Sequence, residues 1–394
     1  MGDRMKPVEA SPRNRRGFRM LRAKWHRFTH FEFWPWWVFY APVIGYVVVR
    51  LVPKFRSLTV FTAANLSLPA GGLLGESKST ILRELDHKDG RVANWTLIDQ
   101  PAGAERIIAL DRWMEAEGMT WPMVLKPDVG ERSHGVTVVN SRIEAENYLA
   151  QASGAVFAQV FVGGREYGVF YARRPGEKRG RILSITGKRW PSVVGNGRQT
   201  IEELILSDKR AVLMEDFFLK KFATRLREVL PAGETLFLTE IGNHDHGAVF
   251  LDLSWASTPE LETEIDALAH RLDGFYLGRF DVRVPTLAAL RKGEDFKVLE
   301  LNGVAAEQSH IYDPNQINIF KSWRVMMTQW HLAFEIGTEN VRRGAKKDSL
   351  WSVVEKLMRR GRLPKIQGSV LPPELANRPQ PRPREESSPA SHGR

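Results

Sequence analysis

Apolar and polar positions divide the chain into blocks. Phe33–Val49 is a run of seventeen residues without a charge, FWPWWVFYAPVIGYVVV, bracketed by Glu32 and Arg50. A straight helix of that length rises roughly 25 Å, short of the ~30 Å hydrocarbon core of a bilayer. Pro35 and Pro42 are expected to break or kink it. SLTVFTAAN (Ser57–Asn65) then predicts a strand running into a turn, Gly71, Gly72 and Gly75 a flexible loop, and Ser77–Leu85 a short helix. Asn94–Asp99 predicts a second strand, and Ala102–Glu117 has helical spacing. From Trp121 onward apolar strands alternate with polar turns. The first ends in Lys126, a loop with Gly130 and Gly135 follows, and a further strand comes after it. VFAQVFVGGREYGVFYA and ILSITGKRW supply more strands, and the turn Asn196–Arg198 leads to Thr200 as the N-cap of a helix. GRFDVRVP and FKVLELNG are two late apolar strands that carry acids. Ile319, Trp323, Met326, Trp330 and Phe334 lie at helical spacing within Gln316–Gly337 and predict a docking face.

Length and charge organise these blocks. The 394 residues are too many for one ordinary domain and comfortable for two with appendages. Of the net +11, residues 1–30 hold +7, nine basic side chains against two acidic ones, so the rest of the chain is nearly balanced. A nucleic-acid binder needs basic residues spread over a folded face, and that class is set aside. With no cysteine the chain has no disulfide, thiolate nucleophile or Cys-ligated metal, which fits a reducing compartment. Trp25, Trp34, Trp36, Trp37, Phe39 and Tyr40 crowd the front of the uncharged run, and such rings favour the headgroup level. Behind a basic arm that attracts anionic lipid at about 1 kcal/mol per well-placed charge, this reads as a segment lying in or dipping into a membrane face. The alternatives are burial against the protein's own core, or a full span with a cytoplasmic N-terminus. A cleavable signal peptide does not fit, because about thirty residues precede the apolar run and no small-residue cleavage site follows. Lys346–Arg360 predicts an amphipathic basic helix that packs or lies on a bilayer. Seven prolines with Arg and Ser after Leu363 predict a disordered tail. The expected organisation is a basic arm (1–30), a membrane-associated segment (31–55), a small α/β element (56–100), a catalytic domain (101–330), C-terminal helices (331–362) and the tail (363–394).

The candidate chemistry lies on the strands. Lys126 on a strand end beside a Gly loop can hold nucleotide phosphates while loop amides fold over them. The backbone of Gln159–Val162 can line an adenine edge, and Glu166 after the Gly-Gly turn can accept two ribose hydroxyls. Lys188 is a second strand lysine. Asp281 lies between Phe280 and Val282, and Glu300 between Leu299 and Leu301, with Asn302 two residues on and so on the same strand face. Hard oxygen ligands on neighbouring strands suit Mg²⁺, which completes its shell with phosphate oxygens and water. Arg279 points to the face of Asp281 and can hold a γ-phosphate or a developing charge. No GxGxxG or Walker A pattern occurs, so neither a Rossmann nor a P-loop site is indicated.

The ordered series VLKP, the Gly loop, AQVFVGGREYGV, the Lys188 strand, VVGNGRQTIEELI, GRFDVRV and LELNG resembles the ATP-grasp superfamily. Its D-alanine–D-alanine ligase-like and cyanophycin-synthetase-like members are the nearest in pattern, and the likeness runs from about Pro101 to Asp313. A bacterial, membrane-associated group within it has a Trp-Pro-rich front and a stretch similar to LNGVAAEQSHIYDP. The resemblance implies an α+β fold of two α+β subdomains gripping ATP. It implies that Lys126 and Lys188 contact the ATP phosphates and that Gly130–Gly135, with Ser133 and His134, form the mobile loop over them. Gln159, Val160 and Val162 would be the adenine hinge and Glu166 the ribose contact. Asp281, Glu300 and Asn302 would hold Mg²⁺ or Mn²⁺, with Arg279 and Lys188 catalytic.

Two departures limit the transfer of a substrate. Beside that family the N-terminal substrate domain is expected to be truncated, with the membrane-type segment in its place, and the Ser-Pro-Gly type loop of D-amino-acid ligases is replaced by Gly303–His310, so the acceptor is not expected to be D-alanine. IGNHDHGAVFLD places His244, Asp245, His246 and Asp252 on strand–turn–strand. His-x-His suits a metal pair, Asn243 with His244 suits an anionic acceptor, and a surface turn is the plain alternative. His310, Tyr312 and Asp313 are further acceptor candidates. The expectation is a ligase that makes an acyl-phosphate and joins it to an amine or other nucleophile, at the cytoplasmic face of the inner membrane. Its acceptor would be a small molecule, a lipid or a lipid-linked precursor. A kinase on the same scaffold is the runner-up, and a catalytically silent membrane module the third reading.

Overall fold

The protein is described by a computed structural model that covers residues 31–73, 75–130, 135–239, 248–313, 315 and 318–360. The basic arm, the Pro/Arg-rich tail, and the positions of Ser133, His134, Asn243, His244, Asp245 and His246 lie outside the described residues. The class is α+β, as expected. One antiparallel sheet runs β1 (Trp95–Ile98), β4 (Val156–Val160), β2 (Met123–Pro127), β3 (Thr137–Val139). The other runs β11 (Lys297–Asn302), β10 (Leu277–Val284), β5 (Arg165–Ala172), β6 (Arg181–Arg189), β9 (Val249–Asp252). A small ribbon, β7 (Ser192–Val194) with β8 (Thr235–Phe237), stands apart from both.

Side-chain alternation builds the layers. Along β5, Tyr167, Val169 and Tyr171 enter one core, whereas Phe170 and Ala172 enter another on the opposite face. The first core is closed by the helices Lys78–Leu85 (α2) and Pro259–Ala269, through Ile81, Leu82, Leu85, Leu261 and Ile265. The second is closed by the long helix Ile319–Arg342, through Ala333 and Ile336. Asn318 caps that helix by accepting from the Lys321 N–H. The smaller sheet has its own core, in which Ile107 and Leu110 of helix Ala104–Ala116 and Leu149 of helix Arg142–Gln151 cover Leu125 and Ala158. Thr200 caps its helix with a reciprocal Glu203 bond, as its position in the sequence led one to expect.

The segment 57–65 corrects its expected strand. Val60–Ala63 is a single 3₁₀ turn, buried under helix Ile319–Arg342 where Gly337 lets the backbones meet; a Cβ there would lie 2.0 Å from the Val60 carbonyl oxygen. Asn65 fixes its end. Its amide nitrogen donates to the carbonyls of Gly71 (2.9 Å) and Leu277 (2.8 Å), and its oxygen accepts from the N–H groups of Tyr276 and Leu277 (2.9 Å each). Asn65→Ala strands four buried backbone groups. It is expected to cost about 3 kcal/mol, read as a lower urea midpoint with an unchanged slope. Residues 56–100 are likewise divided among layers. β1 has no partner of its own and zips onto β4, Trp95 opposite Gln159 and Ile98 opposite Val156.

The apolar run also differs from expectation. It forms a helix, Trp36–Phe55 (α1), that continues through Pro42 and widens to a π turn at Val47–Leu51 before Pro53. Pro35 precedes its first turn, where an N–H is not needed. At 20 residues it is long and apolar enough to cross a membrane, and only 17% of its most apolar stretch is buried. One stripe, with Phe39, Val43 and Leu51, packs on Met326 and Phe334 of the long helix. Trp323 donates to the Phe39 carbonyl at 2.9 Å, and His331 bonds Tyr46 and Lys54 at 2.8 Å each. The other face, with Trp36, Trp37, Ile44, Val48 and Val49, is exposed.

Candidate active site

The site grows from β10. Phe280, Val282 and Val284 enter the core, so period two turns Arg279, Asp281 and Arg283 to the opposite face. Opposite them on β5 stand Phe170, Gly168 and Glu166 in register. On β11 the register slips by one residue, and the irregularity sets Glu300 directly opposite Asp281 and Asn302 opposite Arg279. The two carboxylates and the amide expected on one face are therefore gathered, with the Asn302 amide nitrogen 3.5 Å from Asp281 Oδ2. Gly168 makes room for the row. A Cβ at that position would lie 2.9 Å from Arg279 Cδ.

Charge pairing holds the row. Arg279 grips Asp281 with two parallel bonds, Nε to Oδ1 at 2.8 Å and Nη2 to Oδ2 at 3.0 Å. Its Nη1 reaches on to the Glu307 carbonyl (3.0 Å) and Ser309 Oγ (3.1 Å). Lys188, on β6, donates to Glu166 and lies 3.9 Å from Asp281. Burial alone would raise the Asp281 and Glu166 carboxyls. Arg279 and Lys188 around the first, and Lys188 and Arg283 around the second, overcome it and hold both below the usual carboxylate range. Burial likewise opposes charge on Lys188, yet Asp281 and Glu166 outweigh it and keep that lysine above its ordinary value.

The smaller sheet supplies the opposite wall. Lys126 and Gln159, neighbours on β2 and β4, both aim at the carbonyl of Leu299, the residue at the β11 irregularity. Lys126 Nζ is 3.5 Å from it and Gln159 Nε2 3.3 Å, and the two side chains bond each other at 3.1 Å. Lys126 Nζ also sits 5.1 Å from the centre of the Phe157 ring. Burial dominates here and lowers the Lys126 pKa, with Lys78 adding to the effect and the carboxylates, Glu300 foremost, opposing it. In the expected hinge, the Val160 N–H donates to the Asn94 carbonyl at 2.9 Å, and the Val162 carbonyl accepts from Arg283. Gly130 and Gly135 flank the part of the loop that is not described.

Two residues join the site that the sequence pattern did not single out. Arg283 donates to the Val162 carbonyl at 2.7 Å and to Glu166 Oε2 at 3.2 and 3.3 Å, with its guanidinium stacked between the Phe161 and Trp190 rings. The period-two rule that selects Arg279 also selects Arg283, so its signal lay in GRFDVRV. Lys78, at the start of α2, donates to the carbonyls of Asp128 (3.3 Å) and Gly130 (3.1 Å) and lies 3.9 Å from Glu300. Asp128 in turn accepts from Ser77 Oγ (2.7 Å) and the Ser79 N–H (2.8 Å), which ties the glycine loop to the helix. No local pattern marks that lysine.

Beyond the row, the loop after β11 folds back under Arg279. His310 is buried, its Nδ1 has no hydrogen-bond partner among the described residues, and burial lowers its pKa against the opposing pull of Asp252 and Asp313. Tyr312 donates to Glu307 at 2.7 Å, and burial raises the Glu307 carboxyl. His310 is therefore placed near the row through Glu307 and Ser309.

The donor set fits a hard divalent ion. Asp281 and Glu300 face one another across a strand pair, Asn302 adds an amide, and no group of three or more His, Asp or Glu is gathered among the described residues. Hard oxygen donors such as these suit Mg²⁺, which keeps positions for phosphate and water.

No family model matches the chain. A cyanophycin synthetase from Geminocystis herdmanii (strain PCC 6308) is 24% identical over 216 residues, 48% of this chain and 24% of that protein, so the match spans about a quarter of the relative's length. Among solved structures, a D-alanine–D-alanine ligase from Bacillus anthracis superposes with a TM-score of 0.41 at 15% identity, covering 71% of either chain. A bifunctional glutathione synthetase from Pasteurella multocida gives 0.35 at 15% identity, over 64% of this chain and 35% of its own. The D-alanine–D-alanine ligase from Coxiella burnetii gives 0.37 at 11%, over 73% and 61%. By sequence, then, this chain is similar to part of a cyanophycin synthetase, one of the two ligase types that its motif series resembles.

Proposed function

We propose that the chain is an ATP- and Mg²⁺-dependent ligase of the ATP-grasp type, which activates a carboxylate and joins it to an amine or other nucleophile. One observation carries the reading. Lys126 from one sheet reaches the Leu299 carbonyl of β11, beside the row of Lys188, Arg279, Asp281, Glu300 and Asn302 on the other. ATP supplies the phosphoryl group, and a divalent ion spreads the charge of its phosphates. The chain's own residues bind and orient. Lys126 and Lys188 hold phosphate oxygens, Arg279 stabilises the transferring group, and Asp281, Glu300 and Asn302 hold the ion. Glu166 keeps lone pairs for ribose hydroxyls beside its two cationic partners. Positioning and electrostatics account for the rate, and no side-chain nucleophile is required.

The acceptor belongs at a membrane. The outward face of helix Trp36–Phe55, with Trp36 and Trp37 at its front, supports attachment to the cytoplasmic face of the inner membrane, where ATP is available. A lipid, a lipid-linked precursor or a small envelope metabolite is the substrate class this location favours, with His310 and its neighbours at the acceptor end.

The test measures ADP and inorganic phosphate together, from protein given Mg²⁺-ATP and an extract of membrane lipids and metabolites. Equal, extract-dependent release of both supports the ligase. ADP without phosphate assigns a kinase, and ATP that neither binds nor turns over sinks the reading. Arg283 gives a second check. Arg283→Lys keeps the charge beside Glu166 but loses the planar fork and the ring stacking that position Val162. Calorimetric titration with Mg²⁺-ATP is expected to show about tenfold weaker binding, near 1.4 kcal/mol, without loss of fold.

A further inference from the structure

The helix Leu350–Arg360 leaves most of its apolar side chains exposed. Its apolar residues Leu350, Trp351, Val354, Leu357 and Met358 fall on one arc at helical spacing. Four of these are exposed, Trp351 by 72%, and Val354 is half-buried. Its one buried side chain among those described is the apolar Val353, at the edge of that arc. Lys356 Nζ bonds Asp348 at 2.8 Å and Ser352 Oγ lies 3.4 Å from the same carboxylate, beside the buried Val353.

The helix is held in this pose by what precedes it. The Asp348 carbonyl accepts from Thr59 Oγ1 at 2.7 Å, its N–H donates to Thr62 Oγ1 at 2.9 Å, and Lys347 donates to Ser57 Oγ at 2.8 Å. Residues 57–62 directly follow helix Trp36–Phe55, whose outer face is also apolar and uncovered. Two apolar faces, exposed among the described residues and distant in sequence, therefore spring from one joint. Their surroundings select the occupant. Lys346 and Lys347 precede the Leu350 helix, Arg359 and Arg360 end its sequence, and nine basic residues precede Trp36 in the basic arm. A protein partner or a second copy would need complementary acids, whereas basic flanks around Trp-bearing apolar arcs match an anionic bilayer surface.

We propose that helix Leu350–Arg360 is a second membrane contact, laying Leu350, Trp351, Leu357 and Met358 into the interface of an anionic bilayer beside helix Trp36–Phe55. The attachment is then two-point, and it fixes how the body of the protein sits over the lipid. The inference does not depend on the chemistry of the site.

The chain contains no cysteine, so Leu357→Cys in the full-length protein gives one labelling position for a polarity-sensitive dye. With phosphatidylcholine–phosphatidylglycerol vesicles the dye emission is expected to shift to the blue, and with phosphatidylcholine alone much less. Trp351→Glu with Leu357→Glu is expected to lower the vesicle partition coefficient about tenfold, with an unchanged melting temperature because both side chains are exposed. The inference is overturned if the protein floats with anionic vesicles while the dye stays unshifted, since helix Trp36–Phe55 then acts alone. A blue-shifted dye without vesicles also overturns it, assigning the face to another copy where the shift grows with protein concentration and to the chain itself where it does not. Absence of vesicle binding overturns it outright.

Discussion

Glu300→Ala is expected to lower ATP turnover about a thousandfold while the protein remains folded. The two acids of the row differ in a way that makes this the informative variant. Asp281 is buried, gripped by Arg279 and approached by Lys188, so Asp281→Ala leaves the buried Arg279 without its carboxylate and costs roughly 3–5 kcal/mol of stability. Loss of turnover in that variant mixes folding with chemistry. Glu300 is about a third exposed, and Lys78 at 3.9 Å is its ion-pair partner. Its removal takes away a proposed metal ligand and little packing. Turnover would be followed as ADP release, and folding as the melting temperature of the same sample. Turnover that persists in both variants would remove Asp281 and Glu300 as the metal ligands.

The strands that carry this chemistry were legible because charged residues interrupt otherwise apolar runs. Asp281 between Phe280 and Val282, and Lys188 at the end of ILSITGK, are marked in that way. What local pattern cannot supply is the partner in space. The slip that sets Glu300 opposite Asp281 follows from strand pairing, and the Leu299 carbonyl that joins the two sheets follows from the slip. Lys78 belongs to a helix start about fifty residues from Asp128, so its role appears only when the glycine loop folds onto α2. Ser57–Asn65 misleads for the opposite reason. Its apolar residues have strand character, but Gly337 brings the long helix against Val60, and the four bonds of Asn65 fix a turn there. Pro42 misleads through its local cost, which packing of Phe39 and Val43 on the long helix offsets.

Lys126 separates function from stability most sharply. Its ammonium is buried, its direct partners are the neutral Gln159 amide and Leu299 carbonyl, and burial sets its pKa below the ordinary lysine value of 10.5. The unfolded chain therefore binds that proton more tightly than the folded one. Stability contributed by this group rises as pH climbs from below the lowered pKa toward 10.5, and at neutral pH the buried charge is a net cost. Lys126→Met keeps the length of the side chain and removes the charge. Its urea midpoint at pH 7 is expected to be higher than that of the parent protein, with the difference shrinking at alkaline pH. Its affinity for Mg²⁺-ATP is expected to fall about a hundredfold, roughly 2.7 kcal/mol, because a phosphate oxygen loses a desolvated cation. A lysine that served only to join the sheets would give the reverse pattern, a less stable protein whose nucleotide affinity is unchanged. Unfolding by urea and calorimetric titration of one preparation distinguish the two. A charge held at a cost to the fold, and needed by the nucleotide, is what a phosphate-binding site requires of it.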